Sequence, residues 1–179
     1  MNAFAALIYM KVALKRKMVT NAFLMKMARQ TMVKLGVGHT ESVYQYALVT
    51  LLMSAGVPSM TEVNIPYFVN GICVGMGRAD ILLNSHLIEL KANQKSTCKT
   101  SAQAQLAKYL RSMSLQGATP RNGLLILFNT PNHGPIQNRV SFVELSHREA
   151  MNFVPNNTKG VPVHPKKPKE KNKPQALKG

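Results

Sequence analysis

Acidic residues are scarce in this chain: 7 Asp and Glu stand among 179 residues, against 23 Lys and Arg, for a formal net charge of +16. Trp is absent, aromatics make up 6%, and there are two cysteines, Cys73 and Cys98. Two cysteines exclude a disulfide framework and a four-Cys zinc or iron–sulfur site. Reduced thiols in an intracellular compartment are therefore the expectation, with nucleus or virion open for a eukaryotic or viral source. No apolar run reaches the roughly 18 residues needed to span a bilayer as a helix, so no transmembrane segment is expected. A hydrophobic share of 45% excludes wholesale disorder. What remains is a basic chain of single-domain size whose charge points to a polyanionic partner.

The charge is concentrated at the ends. Residues 1–34 hold seven Lys and Arg and no acid, residues 155–179 hold seven Lys and Glu170, and the middle carries only +3. Five of the ten prolines also lie in 155–179. Such a segment has too little apolar surface to offset its ordering entropy, so 151–179 reads as a flexible basic tail. Its lysines, Lys166, Lys167 and Lys169 among them, are candidate phosphate contacts. The first 20 residues read as a basic helical extension, also compatible with a targeting or membrane-surface helix. Residues 21–150 remain for a single folded domain.

Within that domain, Ala22 to Leu35 reads as a helix closed by Gly36. Thr40 then caps a second helix with Val43, Ala47 and Leu51 on its apolar face, joined by Leu48 and Leu52. Asn70-Gly71 between two β-rich runs is a hairpin signal, and Asn84-Ser85 makes a second turn into HLIELKA. A helix, SAQAQLAKYLRSM, leads to the continuously apolar strand GLLILFN, and RVSFVEL reads as a further edge strand. The expected class is α/β, with helix, three-stranded antiparallel meander, helix and strand forming a mixed sheet flanked by helices.

Of the seven acids, Asp80 is the only aspartate. It falls late in the second strand, and Glu89-Leu90-Lys91 falls in the third. Alternate strand residues share a face, so Glu89 and Lys91 project together, and the turn lets Asp80 face Glu89 across adjacent strands. Two carboxylates so placed make a hard-oxygen site suited to Mg²⁺ or Mn²⁺. A surface ion-pair row is the bland alternative. Against it, these charges interrupt apolar strands, where an unpaired charge is costly.

Asp80 with Glu89-Leu90-Lys91 resembles the acidic and E-x-K motifs of the PD-(D/E)XK nuclease superfamily, and Gln105 with Tyr109 resembles the Q-x-x-x-Y motif of its RecB-like branch. Gly38-His39-Thr40-Glu41-Ser42-Val43-Tyr44 further resembles the pattern that names the GxxExxY family, together with Arg78-Ala79-Asp80, Glu89 to Ala92, Ala104 to Leu110 and Gly123 to Asn129. The resemblance implies a restriction-endonuclease-like core. It implies Asp80 and Glu89 as metal ligands, Glu41 as a further acidic ligand or metal-proximal base, and Lys91 as the catalytic lysine. Gln105 and Tyr109 would position the DNA backbone or the metal site. Arg78, Lys95 and Lys99 are candidate phosphate contacts.

Two functions follow. One is a Mg²⁺-dependent nuclease acting on DNA. The other is a nuclease-fold protein that binds nucleic acid without cleaving it, such as a virion-associated or packaging component anchored by its basic ends. A homo-oligomer or larger assembly is compatible with either.

Overall fold

A computed structural model of the chain describes residues 19–92, 98–115, 120, 122–130 and 134–153. The order is α1 (Asn21–Leu35), α2 (Glu41–Ser54), β1 (Met60–Val69), β2 (Ile72–Leu82), β3 (His86–Ala92), α3 (Cys98–Leu115), β4 (Asn122–Phe128), a 3₁₀ turn (Ile136–Arg139), β5 (Val140–Ser146) and α4 (His147–Asn152). Among the described residues, no helix is long and apolar enough to cross a membrane.

The five strands lie in sequence order across one sheet. β1, β2 and β3 form the expected antiparallel meander, and the crossover through α3 makes β4 parallel to β3. β5 returns antiparallel to β4 as the edge strand. Asn70 and Gly71 have φ of 49° and 79°, the left-handed pair that a two-residue hairpin demands.

Helices cover both faces and bury two cores. On one face α1 and α2 close over Ile81, Ile88, Leu90, Ile126 and Phe128; on the other α3 and α4 close over Ala79, Leu87, Leu125 and Leu145. α1 buries Leu24, Met27, Ala28, Thr31 and Met32, the i, i+3, i+4 stripe of an amphipathic helix. In α2 the buried face is Tyr44, Gln45, Leu48 and Leu52, whereas Val43 is 38% exposed. The expected face is thus rotated by about one position, because the Tyr44 ring stacks on Phe128 and turns the helix toward that strand. α4 extends the fold through Phe153, which packs on the α3-side core, three residues into the segment expected as tail. Its start is held by reciprocal Ser146 and Glu149 hydrogen bonds, a capping box.

Candidate active site

The site forms where the sheet comes apart. β2 and β3 pair only at Ile81↔Ile88 and Leu82↔Leu87, so the strands part just before Asp80 and Glu89. On the other side, Thr61 pairs with Ile81 and Val63 with Ala79, but Glu62 between them, with φ 54°, drops out of the ladder opposite Asp80. The face alternation slips at the same place: Ala79 belongs to the α3-side core, and Ile81 to the α1/α2-side core.

Two contacts replace the lost ladder around Asp80. The Leu90 backbone N–H donates to Asp80 Oδ2 at 2.6 Å, and Gln45 Nε2 donates to the Asp80 carbonyl at 2.8 Å. Gln45 also donates to Glu62 Oε1 at 2.9 Å, and Arg78 Nε lies 2.6 Å from Glu62 Oε2. Arg78 is therefore an exposed cation with one carboxylate partner.

Glu89 and Lys91 project from β3 side by side. Lys91 Nζ donates to Glu89 Oε1 at 2.7 Å and to Glu41 Oε1, on the first turn of α2, at 3.2 Å. Glu89 is 1% exposed, and its other oxygen, Oε2, is buried with no hydrogen-bond partner among the described residues. Burial and then the charge of Asp80 push the Glu89 carboxyl up to about 7, against the lowering pull of Lys91. Asp80 is also raised, chiefly by burial, with the Leu90 N–H opposing. Burial would lower Lys91, but its hydrogen bond to Glu89 and the charges of Glu89, Glu41 and Asp80 outweigh this and raise it. Lys91 is accordingly a firm ammonium wedged among carboxylates.

The loop before α2 explains why Glu41 arrives there. Gly38 has φ 90°, open only to glycine at low cost. The Tyr44 hydroxyl donates within 2.8 Å of the Gly36 carbonyl and 2.7 Å of Asn129 Oδ1, and the Gly38 N–H reaches the same Asn129 oxygen at 3.4 Å. Tyr44 and Asn129 together pin the α1–α2 loop to the end of β4, which sets the first turn of α2 beside Lys91.

Across the sheet, Gln105 Nε2 donates to the Tyr109 hydroxyl at 2.8 Å, and that hydroxyl also accepts from the Arg78 backbone N–H at 3.2 Å. Tyr109 is 4% exposed and stacks on Tyr67, over whose ring Lys108 Nζ lies at 3.9 Å. The pair thus braces β2 two residues from Asp80. Tyr67 is pushed up to about 12 by burial and by Tyr109, with Glu89 adding to the rise. Gly77 makes this possible, since a methyl there would overlap both the Tyr67 hydroxyl and the Tyr109 ring.

Asp80, Glu89, Lys91 and Glu41 are therefore brought together. Arg78 stands beside them through Glu62, Gln105 and Tyr109 lie behind β2, and Lys99 is exposed on the first turn of α3. Lys95, Lys166, Lys167 and Lys169 lie outside the described residues. The sequence pattern pointed to none of Gln45, Glu62 and Tyr67. No local motif marks any of the three; only the break in the sheet does.

Among the described residues, no three His, Cys, Asp or Glu side chains converge as a ready-made metal cage. The donor set nevertheless fits a hard divalent cation: Asp80 and Glu89 supply carboxylate oxygens, and Glu89 Oε2 is a buried acceptor without a partner among the described residues.

One protein-family model matches the chain, described as the PD-(D/E)XK nuclease superfamily, over residues 18–140. No curated protein and no solved structure matches.

Proposed function

This chain belongs to the PD-(D/E)XK nuclease superfamily, and we propose that it hydrolyses phosphodiester bonds in DNA with a divalent cation, Mg²⁺ or Mn²⁺, held by Asp80 and Glu89. One observation carries the reading: a buried Glu89 with one oxygen on Lys91 and the other without a partner among the described residues. Keeping this carboxylate ionised while buried and half-satisfied is costly, and a bound cation would complete it.

A bound cation would polarise the phosphodiester and lower the pKa of an attacking water. The chain's own groups do the rest. Asp80 is held to its task by Leu90 and Gln45. Lys91, kept protonated by its acidic neighbours, offers positive charge as negative charge builds on the phosphorane oxygens. Glu41 keeps the Lys91 ammonium from collapsing wholly onto Glu89, and is the candidate third ligand or base. Arg78 and Lys99 supply phosphate contacts from the exposed surface. The Gly38, Glu41 and Tyr44 arrangement supports assignment to the GxxExxY branch, because each of the three has a distinct structural task.

A cleavage assay on single- and double-stranded DNA with Mg²⁺ or Mn²⁺ tests this. Activity should be present in the wild type and fall by orders of magnitude in Asp80→Asn, Glu89→Gln and Lys91→Ala. Absence of cleavage with any divalent metal, alongside binding that weakens steeply with salt, would instead favour the second reading, a non-enzymatic nucleic-acid binder. The observation on that side is the concentration of basic charge in residues 1–34 and 155–179.

A further inference from the structure

We infer that Gln45 is a positioning residue for the metal-binding carboxylate of Asp80, an inference that rests on the reading of Asp80 as a ligand. Asp80 is the residue at which the sheet stops holding its own backbone. Glu62 leaves the ladder on one side, and β3 parts from β2 on the other. The neighbours of Asp80, Ala79 and Ile81, stay paired with β1 and the Leu90 N–H holds its carboxylate, so the backbone carbonyl beneath α2 is the group that needs a further partner. Gln45 supplies it. Its side chain is 5% exposed, and its one amide nitrogen reaches the Asp80 carbonyl at 2.8 Å and Glu62 Oε1 at 2.9 Å.

The placement has a helical logic. Glu41 and Gln45 are four residues apart, so they share one face of α2. The first addresses Lys91 and the second addresses Asp80. A single rigid helix thereby sets the relative position of the two strands exactly where the sheet has ceased to do so. The second bond, to Glu62, holds that carboxylate beside Arg78 and prevents it from turning toward Asp80. Gln45 touches none of the groups expected on substrate, so it acts through Asp80.

Outer partners that orient a metal-binding carboxylate are typically worth about 10–100-fold in metal affinity. The test is Mn²⁺ binding to the full chain by titration calorimetry, compared among wild type, Asp80→Asn, Gln45→Met and Leu52→Ala. Gln45→Met keeps the volume and loses both hydrogen bonds. It should weaken Mn²⁺ binding by about 10–100-fold while keeping a native circular dichroism spectrum. Leu52→Ala opens a cavity on the same helix, so it should lower the melting temperature at least as much and leave Mn²⁺ affinity within about threefold. Should Gln45→Met fail to fold, Gln45→Asn, which shortens the reach and keeps the amide, must show the same direction of loss. Wild-type affinity in the folded Gln45 variant overturns the inference alone. A wild type that binds no Mn²⁺, or binds it equally after Asp80→Asn, overturns the metal reading and this inference with it.

Discussion

Replacing Glu89 by Gln should make the metal-free protein more stable at alkaline pH while abolishing its chemistry. Glu89 is 1% exposed, lacks a partner for Oε2, and feels the charge of Asp80. Its carboxyl is raised from 4.5 to about 7 in the fold, chiefly by burial. A raised acid disfavours the folded state once it ionises. The cost is absent below pH 4.5, grows between 4.5 and 7, and is complete above 7, where it reaches roughly 3 kcal/mol. Gln is isosteric, carries no charge, and still offers an oxygen to Lys91, so it escapes most of this penalty. At pH 4 the protonated Glu89 and the Gln variant should have nearly equal stability. At pH 8 the variant should be ahead by up to roughly 3 kcal/mol, or about 5–10 °C in melting temperature, less the weakened Lys91 hydrogen bond. Thermal unfolding in EDTA at pH 4 and pH 8 measures it. A Gln variant less stable than wild type at pH 8, or a difference that ignores pH, would refute the account of Glu89 as a buried, incompletely partnered acid.

Three further outcomes are expected. Gly77→Ala should displace Tyr67 and Tyr109 together, cost about 1–3 kcal/mol by overpacking, and reduce nuclease activity without touching an acidic residue; denaturant unfolding and cleavage rates check both. His86, buried and hydrogen-bonded to Ser85 and Asn21, is lowered from 6.5 chiefly by burial, with Glu144 opposing, so the folded state loses stability as pH falls below about 6.5; an NMR titration in the folded protein that finds His86 at or above 6.5 contradicts this. Deleting 155–179 removes seven lysines and one acid, and should flatten the dependence of DNA affinity on salt concentration; an unchanged slope takes the tail out of phosphate binding.

Local pattern made the main strands and helices readable. Asn70-Gly71 announced the hairpin because few other pairs accept two left-handed residues in a row, and the apolar run of β4 announced a strand buried on both faces. Asp80, Glu89 and Lys91 were legible together because strand alternation and a short turn are local rules. The buried face of α2 was legible only to within about one position, because Val43 and Tyr44 are equally apolar to a periodicity count and only stacking on Phe128, 84 positions away, separates them. The α4 helix was legible in principle from Ser146 and Glu149, three residues apart in a capping pattern.

Residue types and their spacing set the chemistry on offer: seven acids in a basic chain, three of them on strands or helix starts that a nuclease motif requires. Residue type and short-range spacing are enough for that, since they limit which groups can share a face. How the site is held depends on contacts between residues far apart in the chain. The slip at Asp80 and Glu62, the amide of Gln45 that fills it, and the partnerless oxygen of Glu89 arise from two strands parting beneath a helix. No local preference encodes such a break, because its cost is met by contacts from residues distant in the chain.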